Sequence, residues 1–76
     1  MAELVAYLAK QLVDAPDAVR VEEVEEEDAI VIRLHVAPDD IGKVIGRQGR
    51  VARALRQVVR AAGAGERRRV HLEIVE

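Results

Sequence analysis

The chain is 76 residues long with a formal net charge of −2, and half of its residues are hydrophobic although Tyr7 is its single aromatic. That length is enough for one domain, spanning residues 1–76, with a small aliphatic core. The absence of Cys excludes disulfides and thiolate metal sites, and the absence of Ser and Thr leaves no nucleophilic hydroxyl apart from Tyr7, so an enzyme is not expected.

The balanced total hides a segregation of charge. Residues 1–40 hold three Lys/Arg against eleven Asp/Glu, a net of −8, whereas residues 41–76 hold nine against three, a net of +6. Such a chain does not bind polyanions indiscriminately but can present one local basic face, in its second half. No apolar run approaches membrane-spanning length, and Glu3 stands where a secretory signal would carry basic residues. A cytoplasmic protein without membrane contact is expected.

In chain order, Met1, Leu4, Val5, Leu8 and Leu12 recur at helical spacing, predicting an amphipathic helix over the first fourteen residues that ends before Pro16. Val19 and Val21 alternate within a short strand over 18–24. The acidic run from Glu22 to Asp28 reads as a solvated hairpin tip. Ile30, Ile32, Leu34 and Val36 then alternate with Val31, Arg33 and His35, the signature of a half-buried strand. Pro38 ends that strand, and Asp39 is placed to cap a short helix running through Val44. After a glycine turn, Val51, Leu55, Val58, Val59 and Ala62 form a helical core stripe stopped by Gly63 and Gly65. Val70, Leu72 and Ile74 give a last strand. The early strands are close enough to pair as an antiparallel hairpin, and the last returns through a helical crossover to lie parallel to the Ile30–Val36 strand. The expectation is an α+β fold, ordered α-β-β-α-α-β, with three helices on one face of a three-stranded mixed sheet.

The stretch Ile41-Gly42-Lys43-Val44-Ile45-Gly46-Arg47-Gln48-Gly49-Arg50 carries the functional signal. Two glycines three apart allow the backbone to approach a ligand closely, and the basic residues around them suit a phosphate backbone. The spacing is wrong for a nucleotide-binding P-loop, which also needs a Ser or Thr, and for the dinucleotide fingerprint. Backbone N–H groups from Gly46 to Gly49 would lie at the start of an Arg-rich helix, where the helix dipole favours anions. Lys43, Arg47 and Arg50 would add full charges, and Ile41, Val44 and Ile45 an aliphatic surface for bases. Arg53, Arg56 and Arg60 read as a solvated helix face paired with Glu, with Arg53, the one nearest the turn, also a candidate RNA contact. Arg67, Arg68 and Arg69 read as protection for a strand end. His35 and His71 are expected as surface neighbours across the parallel pair. With no third ligand, neither a metal nor another cofactor is expected.

An aliphatic pair followed by Gly46-Arg47-Gln48-Gly49, set between two short helical patterns after a strand, resembles the KH domain in its type II arrangement. The resemblance covers essentially the whole chain and is to the small stand-alone bacterial members of the family. One departure is Ala52, where many KH domains carry a bulky aliphatic. The resemblance implies that single-stranded RNA is held by a GxxG loop that clamps about four nucleotides. It also implies a homodimer or a pairing with a larger Jag-like KH protein, and a role as a post-transcriptional chaperone or regulator. Two other readings stand beside it: a dimerisation subunit with little RNA affinity, and a helix-turn-helix that reads duplex DNA with the Arg-rich helix.

Overall fold

The computed structural model describes residues 1–76, in the order α1 (Ala2–Leu12), β1 (Arg20–Glu25), β2 (Ala29–His35), α2 (Ile41–Ile45), α3 (Arg50–Ala62) and β3 (Arg69–Ile74). Short 3₁₀ turns at Pro16–Ala18, Pro38–Asp40 and Arg47–Gly49 join them. The sheet runs β1-β2-β3, with β1 antiparallel and β3 parallel to β2. This is the expected α+β architecture of a type II KH fold.

β2 is central because its alternation is complete. Ile30, Ile32 and Leu34 point into the core while Val31, Arg33 and His35 point away. Ile32 and Leu34 are wholly enclosed, each stabilising the fold by about 1.5–3 kcal/mol. Val5 and Ala9 of α1, Val44 of α2, Leu55 and Val59 of α3 and Leu72 of β3 close over them. α1 is built from good helix formers, with Glu3 in its first turn and Lys10 in its last, each matched to the helix dipole. It ends at Leu12, two residues short of the expected extent, and the backbone turns extended at Val13. Its buried centre is Val5 and Ala9, so Met1, Leu4 and Leu12 keep more than a third of their surface in solvent.

The acidic run is solvated throughout, but only its last three residues form the hairpin tip. Glu22, Glu23 and Glu25 lie within β1, and the connection is only residues 26–28, closed by Glu26 N–H donating to Ala29 O at 2.7 Å. An edge strand tolerates these carboxylates because its overhanging side chains stay in water. On the outer face Glu22, Arg33 and Glu73 lie in register across all three strands. Arg33 Nε bonds Glu73 at 2.8 Å, and its guanidinium reaches Glu22 at 3.9 Å. The register also separates the histidines: His71 lies beside Val31, whereas His35 Nε2 donates to Glu22 at 2.5 Å. That bond is the main reason the Glu22 carboxyl sits below its ordinary value.

Candidate nucleic-acid interface

The path from β2 to α2 is anchored by Asp40 rather than capped by Asp39. The Asp40 carboxylate is 2% exposed and turns away from α2 to accept the N–H groups of Asp14 (3.2 Å) and Ala15 (3.0 Å). It thereby ties the end of α1 to the start of α2. Lys43 completes the tie, its Nζ lying 3.1 Å from Asp14 and 3.6 Å from Asp40. Burial by itself raises the Asp40 carboxyl, but the Ala15 and Asp14 N–H groups and the Lys43 charge bring it below its ordinary range. The hydrogen bond to Asp14, with that carboxylate's charge, raises Lys43.

Two expected site residues are placed differently from the rest. Lys43 is exposed and paired with two carboxylates. Val44 is fully buried in the core and offers no surface to a base, because α2 packs against α3 and α1 and turns this residue inward. Ile41 and Ile45, on either side of it, remain half-buried and supply the aliphatic surface.

The turn itself is compact. Gly46 closes α2 with its N–H on Gly42 O at 2.8 Å and takes φ 77°, ψ 170°, a combination open essentially to glycine alone. Gln48 (φ 58°) and Gly49 (φ 73°) follow in the left-handed region, and α3 starts at Arg50. Glycine is required at 46 by backbone conformation and is favoured at 49, in the left-handed region that Gln48 also occupies. Gly42 differs: it is helical, exposed, and a Cβ there would meet nothing within 4 Å. The fold does not need that glycine, and its bare backbone leaves the α2 surface open to close approach.

The N–H groups of Gly46 and Gly49 are not available to a ligand, since Gly49 donates to Gly46 O at 3.1 Å. Those of Arg47 and Gln48 find no partner among the turn and loop hydrogen bonds, as expected for the first N–H groups of a helical turn. The expected four-donor cradle is thus a pair of adjacent donors at the tip. Arg47, Gln48 and Arg50 are exposed around it, with Arg50 Nη2 holding Gln48 Oε1 at 3.0 Å. Arg53 is exposed one turn further along α3.

The rest of the basic face was misread in the sequence. Arg53, Arg56 and Arg60 each follow a buried residue of α3 (Ala52, Leu55, Val59) by one position, so they share one flank. None of the three is paired with a carboxylate. The acids that would have matched them lie on β1, where Glu25 instead holds Arg68 at 2.9 Å. The i, i+3, i+7 spacing of these arginines was the signal that could have found them.

Comparisons with known proteins identify the family. A family model described as KhpA/KhpB, KH domain matches residues 2–74. The chain is 55% identical to RNA-binding protein KhpA of Caldanaerobacter subterraneus subsp. tengcongensis over 99% of its length and all of that protein. It is 52% identical, with the same coverage, to RNA-binding protein KhpA of Clostridium acetobutylicum. In fold it is similar to part of Aquifex aeolicus Era in a crystal structure bound to GDP·AlF4−, with a TM-score of 0.63 and 21% identity over 96% of this chain and 28% of Era. By sequence and by architecture, the chain belongs to the KhpA/KhpB KH-domain family.

Proposed function

We propose that this protein binds single-stranded RNA through the Gly46–Gly49 loop and the surface beside it. The observation that carries the reading is the loop tip, where two unspent backbone N–H groups lie among arginines without carboxylate partners. A phosphate meets paired donors and positive charge there. Gly42, Ile41 and Ile45 provide a low, aliphatic floor for bases. With no aromatic side chain at the site, stacking contributes little and the backbone dominates, so sequence preference is loose. The printed names of the relatives support the same reading.

The test is fluorescence anisotropy with single-stranded RNA and duplex DNA at one salt concentration. The wild-type chain prefers the single strand, and replacing Arg47 and Gln48 together by Asp removes that binding. Because both side chains are exposed, stability changes by less than about 1 kcal/mol. Equal affinity for duplex DNA would instead favour the helix-turn-helix reading.

A second role is compatible with the first. Met1 just before α1, Leu4 and Leu12 within it and Val58 of α3 are exposed aliphatics, which supports a homodimer or a complex with a KhpB/Jag-like protein. A dimer would join two short footprints and multiply affinity. We infer from this a post-transcriptional chaperone or regulator, assembled from small RNA-binding units. Sedimentation across a concentration series tests the dimer.

A further inference from the structure

An open cavity of about 510 Å³ lies where α3 ends and β3 begins, lined by Arg60, Arg68, Arg69 and His71 with Gly63, Ala64 and Val70. No carboxylate lines it. Arg68 is held by Glu25 and Glu66, but Arg60 and Arg69 have no ionic partner. A concave site with two unneutralised guanidinium groups and an imidazole suits a phosphate diester, since guanidinium can bond two of its oxygens at once.

The cavity is remote from the loop yet continuous with it. Arg60 lies eleven positions beyond Gly49, roughly 16 Å along α3 at the usual rise. Arg53 and Arg56 bridge that interval on the flank that ends at Arg60. Beyond the cavity the charge reverses. The neighbouring depression is lined by Glu27, Asp28 and Glu66 together with Arg67 and Arg68. A polyanion following the arginines therefore meets attraction as far as Arg69 and repulsion after it.

We propose that this cavity is a second phosphate site for the same RNA strand, extending the footprint beyond the loop along Arg53 and Arg56 to Arg60 and Arg69. The proposal rests on the RNA-binding reading of the loop and adds to it where the strand leaves. The loop and Arg53 offer about three phosphate contacts, a slope of log K against log salt near −2 for a single strand. Adding Arg56, Arg60 and Arg69 makes about six contacts and a slope near −4.

The experiment titrates the protein with oligouridylates of two lengths, one of about four nucleotides, the span of a single clamp, and one about three times longer. The wild type binds the longer strand more tightly and with the steeper slope. Arg60→Ala/Arg69→Ala leaves the short strand unchanged and makes the slope for the long one shallower by about 1.4, two contacts' worth. Arg60→Gln/Arg69→Gln gives the same result with the side-chain stems retained. Arg67→Ala, on the mixed-charge depression, leaves both lengths at wild-type affinity. The proposal is overturned if the double variants keep the wild-type slope on the long strand while the Arg47/Gln48 double Asp variant abolishes binding. If the wild type binds neither length, or the loop variant binds as well as wild type, the loop reading fails and this one falls with it.

Discussion

Gly46 and Val51 compete for one space: a methyl group placed on Gly46 would lie 2.4 Å from Val51 Cγ2 and 2.8 Å from the Val51 backbone nitrogen. The half-buried Val51 therefore fills the volume under the turn and fixes how α3 leaves the loop. It also accounts for the small Ala52. That residue is 3% exposed and faces the core, while its neighbour Val51 takes the bulk on the loop side.

Gly46→Ala is expected to cost about 2–5 kcal/mol, combining a backbone region reserved for glycine with overpacking. Val51→Ala introduced beside it removes the closest contact, that with Cγ2, but leaves those with Cβ and the backbone nitrogen at 2.8 Å and the backbone strain. A double-mutant cycle by urea denaturation should thus show a favourable coupling, with about 1–3 kcal/mol of strain remaining. Independent, additive costs would mean the two residues do not share that space.

Lys43 is expected to act on the fold before it acts on a ligand. Lys43→Ala leaves Asp14 and the buried Asp40 without their cation, so the urea midpoint falls even in the absence of RNA. Asp40→Ala lowers it further, because the N–H groups of Asp14 and Ala15 lose their acceptor as well. Asp14→Ala has the mildest effect, since its carboxylate is 81% exposed. An Asp14 variant less stable than the Asp40 variant would contradict this order.

Stability should fall in acid. The carboxyls of Glu22, Glu66 and Asp40 all lie below their ordinary values of 4.5, 4.5 and 3.8 in the folded chain. His35 lowers Glu22 chiefly by hydrogen bonding, and the Arg68 N–H does the same for Glu66. The unfolded chain then binds protons first as pH drops. The stabilisation is complete above the ordinary values and is lost as pH passes down through the folded ones. Lys43 has the opposite sign: its raised value protects the fold up to its ordinary 10.5, and the contribution disappears in stronger base. Melting temperatures followed from neutral pH down to about pH 3 should decline less steeply for Glu22→Gln than for the wild type, since that variant has already lost the titrating group.

Val44→Ala should destabilise the domain by about 1–3 kcal/mol, the cost of a cavity beneath α2. RNA affinity measured well below its melting point should be unchanged. A loss of affinity in the folded variant would put Val44 back on the binding surface.

The elements that the sequence disclosed are those with a complete local pattern. The alternation of Ile30, Ile32 and Leu34 identified the central strand, and the spacing of Gly46 and Gly49 located the turn. The misreadings have a shared cause in contacts between distant segments. Lys43 meets Asp14 across 29 positions, and no local period announces such a pairing. Within five residues of α2, an inward Val44 and a half-buried Ile45 cannot be told apart until the neighbouring helices are in place. The glutamates of β1 looked like a loop because a sheet edge, unlike its centre, imposes no apolar alternation.

With Val51 wedged beneath it and Gly46, Gln48 and Gly49 all at positive φ, the turn already has the shape in which a ligand would meet it. The ordering entropy of association then falls on the incoming strand rather than on the protein. Differences in affinity among strands would accordingly appear as differences in how long each stays, with arrival rates nearly common to all.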